Sequence, residues 1–256
     1  MDYGCIDVTR TGPVVRITMN LPEKRNALSL VHMTELLDAF RQAGDSDATG
    51  VVLAANGPVF SAGHDFADMA GADLEQMRRL LKRCTELMHT MQQIPQPVIA
   101  KVHALATAAG CQLVATADLA VAADTASFAI PGGKGGWFCT TPLVAVGRNV
   151  GRKRALELAM TGDPVDAATA ADWGLINRAV PPADLDTDTD DLLRRATRGS
   201  ASSKGIGKQA FYAQIDLDQP KAYAHAIEVM ASASQTPDAK EGVAAFLEKR
   251  PPNFGV

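Results

Sequence analysis

The chain of 256 residues is 46% hydrophobic and 21% charged, enough apolar material for a large core and unlike the composition of a disordered polypeptide. Lys+Arg 25 against Asp+Glu 29 gives a net charge of -4, which supplies no basic surface to neutralise phosphate backbones and argues against a nucleic-acid partner. No apolar run reaches the roughly 18 residues of a membrane span, since even the Ala-rich stretch from Val98 to Ala123 is broken by Lys101, His103, Gln112 and Asp118, so no membrane partner is expected.

Tyr3, Ile6 and Val8 and then Val15, Ile17 and Met19 alternate as strand positions, the second strand covering Val14 to Asn20. No basic segment followed by an apolar one precedes them, so the opening is expected to belong to the mature fold. Ser29 is placed to cap a helix running to about Ala43, and Gly50 to Ala55 is a short apolar run of buried-strand type. A loop rich in Gly and Asp follows. Leu74, Met77, Leu80, Leu81, Leu87, Met88 and Met91 then recur at helical spacing between Asp73 and Gln93, and Pro95 and Pro97 end that helix before a strand over Val98 to Val102. Asp118 to Ala122 reads as a further strand, and Pro131 to Gly136 is too rich in Gly and Pro for either element. Beyond Thr161 the spacing predicts a helix from about Asp166 to Asp172, a stop at Gly174 and a strand to Val180. The acidic DLDTDTDD run is taken as a solvated face, and after a helix toward Gly199 the tail is helical. Strands followed by helices suggest an α+β or α/β chain, read as α/β, in one compact unit with a core over residues 1–198 and a helical extension over 199–256. Cys5, Cys84, Cys111 and Cys139 have neither metal-ligand spacing nor a small disulfide scaffold around them, so no metal and a cytoplasmic location are expected.

Two segments carry chemistry. In FSAGHDF, Phe60 to Phe66, small residues and Gly63 follow an apolar strand directly and let another molecule approach the backbone. In ATAAGCQLVATADLAVA, Ala106 to Ala122, Ala108, Ala109 and Gly110 open an apolar helix with no side chain large enough to cover its first N–H groups. Such groups carry partial positive charge and favour an oxyanion.

Taken in order, PEKRNALS, FSAGHDF, PQPVIAKVHALATAAGCQLVATADLAVA, TGDPVDAATAADWGLINRAVP and FLEKRPPNF resemble the crotonase, or enoyl-CoA hydratase/isomerase, superfamily over nearly the whole chain. The resemblance implies a spiral of β-β-α turns with trimerising C-terminal helices, hence a homotrimer or a dimer of trimers. It also implies an acyl-CoA thioester partner, with coenzyme A as part of the substrate and no separate cofactor. By motif match the backbone N–H groups of His64 and Ala109 would hold the thioester carbonyl and stabilise its enolate, at about 3 to 4 kcal/mol per donor. The family usually has Gly where Ala109 stands. Arg25, Ala27, Ala62, Gly63, Asp65, Phe66 and Gly110 fall at substrate-binding positions, and Lys249 matches a lysine that reaches CoA phosphate from a neighbouring subunit.

The departures bear on the reaction. Hydratases of the family use two glutamates, and here those places hold Gln112 and Gly132. An amide takes no proton at working pH and glycine has no side chain, although Gln112 can orient water or a carbonyl by hydrogen bonding. His89 resembles in position the base of the related aroyl-CoA dehalogenases and has a suitable unperturbed pKa of about 6.5. Thr140 falls near their nucleophilic aspartate, and a threonine there argues against dehalogenation. Lys134, Trp137 and Cys139 share that stretch, where Cys139 as a nucleophile would require an activating base. Three readings stand: a lyase or isomerase of this family with non-standard catalytic residues, a non-catalytic acyl-CoA binding protein, and a malonyl-type CoA decarboxylase, whose branch SAGHD also resembles. Hydration of crotonyl-CoA is expected to be slow, and Gln112→Glu with Gly132→Glu to raise it.

Overall fold

A computed structural model describes residues 3–255. Strands β1 (Ile6–Thr11) and β2 (Val14–Met19) lead into α1 (Leu30–Gly44), β3 (Gly50–Ala55) and α2 (Leu74–Gln93). Next come β4 (Val98–Val102), β5 (Ala106–Thr107), α3 (Ala109–Thr116), β6 (Leu119–Ala123) and β7 (Ser127–Ala129). Helices α4 (Pro142–Val150) and α5 (Arg152–Thr161) precede β8 (Val165–Asp166), α6 (Ala167–Trp173), β9 (Arg178–Val180) and α7 (Leu185–Thr197), and the tail is α8 (Ala201–Gln214), α9 (Gln219–Ala233) and α10 (Pro237–Glu248).

Local chemistry sets most of these boundaries. Ser29 caps α1 through the His32 N–H, Asp73 and Gln76 form a reciprocal capping box at the start of α2, Asp166 caps α6, and Gly174 ends it in the left-handed region. Helices α4 and α5 have no counterpart in the sequence reading. Pro142 and Gly151 stand at their N-termini and act as helix starts, which in sequence look like breakers.

The large sheet has the order β1-β2-β3-β4-β6-β9 and is parallel after the antiparallel β1/β2 pair. The small sheet, β5-β7-β8, is extended by single bridges from Ser61 to Ala106 and from Leu28 to His64. The chain therefore runs from a strand of the large sheet to a rung of the small one and then into a helix, repeatedly: β3, residues 60–64, α2; β4, β5, α3; β6, β7, α4. This is a β-β-α spiral. Strand β3 is buried along its whole length, as a parallel strand covered on both faces must be, and so reads as an unbroken apolar run.

Helix α7 covers the outer face of the large sheet, Leu193 packing on Val52 and Ile99. The acidic run forms the first half of this helix, and its solvated face is also paired: Asp186 with Lys101, Asp188 with Arg178 and Asp190 with Arg16. Among the tail helices, α8 docks on the core, whereas α9 buries no residue and α10 buries Ala245. No helix among the described residues is long and apolar enough to cross a membrane.

Candidate active site

The two segments singled out in the sequence lie side by side. Asn26, fully buried, is the residue that arranges the first of them. Its Oδ1 accepts the Leu21 N–H, its Nδ2 donates to the carbonyls of Asn56 and Val59, and its own carbonyl accepts the Ser61 hydroxyl. Asn26 and Arg25 both hold positive φ, a conformation asparagine tolerates better than most residues, and that was the available signal for it. The Ala62 N–H donates to the Arg25 carbonyl, the Leu28 N–H to the Gly63 carbonyl and the Asp65 N–H to the Leu28 carbonyl.

With its neighbours so engaged, the His64 N–H has no partner among the described residues. The same holds for the Ala109 N–H at the start of α3. Gly63, at φ +86°, places the segments in contact: a Cβ there would stand 2.9 Å from the Ala108 Cβ and 3.2 Å from the Ala109 nitrogen. Gly110 permits a second close approach, since a Cβ on it would meet the Ser61 carbonyl oxygen at 2.6 Å. Ala108 aims the helix start. Its N–H is held by the Ala129 carbonyl while its backbone adopts φ 51° and ψ −118°, a conformation costly for alanine and of the kind stored at functional sites.

His64 and Ala109 line a cavity of about 730 Å3 whose walls also include Ala62, Phe66, Cys139 and Thr140. Among the described residues no aspartate or glutamate lines it; its titratable walls are His64, Lys134 and Cys139. Burial lowers the His64 pKa against smaller raising effects of the Leu28 carbonyl and Asp68, so the imidazole is held neutral, and its Nε2 has no partner. Burial likewise raises the Cys139 thiol, against a weaker opposing hydrogen bond from the Gly132 backbone, so it keeps its proton.

The other sequence candidates are dispersed. Thr140 donates its hydroxyl to the Phe138 carbonyl at 3.3 Å. Gln112 is buried on α3, where its Oε1 accepts from the Cys84 thiol at 3.8 Å, and it lines a second cavity of about 490 Å3. His89 is exposed on α2 and lines that second cavity, as well as a surface groove with Arg41, Arg78 and Lys82, but not the His64–Ala109 cavity. Arg25 is exposed and Ala27 half-buried beside it, Asp65 caps the short turn at Phe66–Asp68, and Lys249 ends α10 in the left-handed region, exposed and outside the cavity.

Gly132 holds the finding that sequence reasoning missed. A Cβ at this position would collide with the Trp137 carbonyl oxygen and the Cys139 Sγ. The place at which the resemblance puts a glutamate is therefore filled by its own loop, a turn of five to seven residues that sequence reading left as an unstructured Gly-rich stretch.

The sequence profile described as enoyl-CoA hydratase/isomerase matches residues 9–256. The rat (Rattus norvegicus) "Enoyl-CoA hydratase domain-containing protein 3, mitochondrial" is 41% identical over 238 residues, covering 92% of this chain and 79% of the relative. Among solved structures, an enoyl-CoA hydratase from Mycobacterium smegmatis superposes with a TM-score of 0.94 at 44% identity, covering 98% of each chain. Human enoyl Coenzyme A hydratase domain-containing protein 3 gives 0.93 at 38% identity, covering 98% of this chain and 100% of that one. The mitochondrial designation of the rat relative corrects the cytoplasmic location expected from the cysteines. The four cysteines are free, three of them buried, and unpaired thiols do not by themselves name a compartment.

Proposed function

The chain belongs to the enoyl-CoA hydratase/isomerase family, and on that premise we propose that it binds an acyl-CoA thioester and stabilises the thioester enolate between the His64 and Ala109 N–H groups. The observation that carries this reading is the convergence of two unpartnered backbone donors on one cavity. Donors fixed before reaction, in a site that excludes water, stabilise developing charge without having to reorient. The helix start at Ala109 adds its own partial positive charge.

The absence of a carboxylate from the cavity wall among the described residues, with Gln112 and Gly132 at the places where the resemblance puts the glutamates, speaks against water addition as the main reaction. It favours a second reading, loss of CO2 from a malonyl-type thioester. There the C–C bond to the carboxylate breaks, the electron pair passes to the enolate, and the α-carbon takes a proton from solvent, so no protein base is needed. A non-catalytic acyl-CoA binding protein would show no turnover at all. Incubation with a mixed panel of CoA thioesters, read by mass, separates the three.

Binding is tested at Ala109. Proline is tolerated at the first position of a helix but has no N–H. Ala109→Pro is expected to weaken binding of a nitronate analogue of acyl-CoA, which carries the enolate charge, by about 100-fold or more, the scale of a lost oxyanion donor, while free CoA binding changes little. Equal losses for both ligands would place the carbonyl elsewhere.

The assembly we infer is a homotrimer or a dimer of trimers built through the tail helices, whose apolar residues Tyr223, Ile227, Met230, Phe246 and Leu247 are exposed.

A further inference from the structure

We propose that Ser61 is a positioning residue of the oxyanion site: its hydroxyl anchors the chain that presents the His64 N–H, and its packing on α3 sets the separation of that donor from the Ala109 N–H. The inference rests on the acyl-CoA reading above and names a residue that a ligand does not touch, since Ser61 is fully buried and absent from the cavity wall. The Ser61 Oγ donates to the Asn26 carbonyl at 2.8 Å and accepts the Gly63 N–H at 3.3 Å. From Phe60 to Asp65 every backbone N–H but that of His64 is thereby taken. Those of Phe60 and Ser61 donate to the Leu105 carbonyl, that of Ala62 to Arg25 and that of Asp65 to Leu28, while Gly63 alone depends on a side chain. Without the hydroxyl, the Gly63 N–H is a second free donor next to the first, in a glycine at φ +86° with no side chain to restrain its backbone.

The other side of Ser61 faces the second donor. Its carbonyl accepts the Thr107 N–H at 3.0 Å, two residues before Ala109. A Cβ on Gly110 would stand 2.6 Å from that carbonyl oxygen, 2.7 Å from the Ser61 Cβ and 2.9 Å from its Oγ, so the first turn of α3 rests directly on the serine. One residue therefore touches both segments: through its hydroxyl the one that ends in the His64 donor, and through packing the one that begins with the Ala109 donor. Two donors serve a single oxygen only at a fixed spacing, and the benefit of fixing them in advance falls steeply with misplacement.

The test is Ser61→Ala, which removes the hydroxyl and leaves the Cβ in contact with Gly110, beside Ser61→Cys, which keeps a weaker donor and acceptor in place. Dissociation constants of the nitronate analogue and of free CoA are measured for each, and the carbonyl stretching frequency of a bound, isotope-labelled thioester reads how strongly the two donors polarise it. Ser61→Ala is expected to weaken the nitronate by about tenfold, the scale of one lost hydrogen bond, to return the carbonyl frequency toward that of the free thioester, and to leave free CoA binding unchanged. Ser61→Cys is expected to lose less on both readings. A melting temperature that falls while nitronate affinity and carbonyl frequency hold, equal losses for nitronate and free CoA, or a loss in Ser61→Cys as large as in Ser61→Ala overturns the inference and leaves Ser61 a packing residue. If Ala109→Pro weakens the nitronate and Ser61→Ala does not, the proposed function stands without this role for Ser61. If neither does, the proposed function falls as well.

Discussion

At the residue scale, the environment of the His64 and Ala109 N–H groups is decided by what surrounds each backbone atom. Small residues at 62–63 and 108–110 announce in the sequence that something approaches closely, and the structure shows each approach at Gly63 and Gly110. The roles of Asn26 and Ser61 were illegible because their partners lie up to 35 positions away. Gly132 gives the sharpest revision. Sequence reading makes it an empty place, into which a glutamate paired with Gln112→Glu should return hydration. The structure fills that place with the Trp137 carbonyl and the Cys139 thiol. Backbone cannot yield as a flexible side chain does, so Gly132→Glu must open its loop before its carboxylate can act. The expected result is therefore no gain in crotonyl-CoA hydration from Gln112→Glu with Gly132→Glu, together with a lower melting temperature traceable to the second change. A gain in hydration rate to roughly 10 per second at an unchanged melting temperature would show that the loop gives way freely.

At the element scale, strands and capped helices were legible wherever hydrophobic period and capping chemistry agreed. The ends of β3, β4 and α2 follow directly from Gly50, Val102 and Asp73. What was illegible is how elements are fastened to one another. The docking of α8 is the clearest case. Lys208 Nζ reaches Asp118 at 2.7 Å and donates to the Met91 and Gln96 carbonyls, while Asp118 also accepts from the Tyr212 hydroxyl and the Val98 N–H. One buried ion pair thus ties the tail to the end of α2 and the starts of β4 and β6. Burial raises the Asp118 pKa despite Lys208 and lowers that of Lys208 despite Asp118, so desolvation opposes the pair on both sides. Removing one partner strands the other charge. Lys208→Met should destabilise by about 3 to 5 kcal/mol, and adding Asp118→Asn should recover part of that loss, because a buried charge costs most when left alone. Denaturant unfolding of the two single variants and the double variant measures the coupling; additive losses would mean that the pair contributes independently and that α8 is held by its apolar contacts.

At the scale of the whole molecule, acid sensitivity and assembly follow from what is buried and what is left uncovered. His32 is fully buried, with Nδ1 on the Ala27 carbonyl at 3.0 Å and Nε2 unpartnered, and burial lowers its pKa more than that carbonyl and Glu35 raise it. His64 shifts in the same direction. For both, the folded state binds a proton less readily than the unfolded state, whose value is about 6.5, so stability is full above that pH and falls as pH drops below it, by up to about 1.4 kcal/mol per pH unit for each histidine. Asp118 works oppositely, its raised folded pKa favouring the protonated fold in more acidic solution. Unfolding curves from pH 7.5 to 5 should therefore be steeper for the unmodified protein than for His32→Gln, and equal slopes would mean that His32 is protonated in the fold. Tyr223, Ile227 and Met230 recur at i, i+4 and i+7 on α9, a helix that buries nothing in its own chain, and Phe246 and Leu247 are 82% and 73% exposed on α10. An apolar stripe of that kind is stable in water only when covered, and the three-turn spiral offers it no surface. Sedimentation at micromolar concentration is expected to give a trimer or hexamer, and Ile227→Asp with Met230→Asp a smaller species with an unchanged far-UV spectrum. Lys249 links that outcome to binding. It stands exposed at the end of α10, outside the cavity lined by His64 and Ala109, and the resemblance puts it against a CoA phosphate of a neighbouring subunit. The dissociated variant should then lose affinity for free CoA by about the same factor as Lys249→Ala does in the assembled protein. A stable monomer that binds CoA at full strength would remove both the assembly and the role of Lys249.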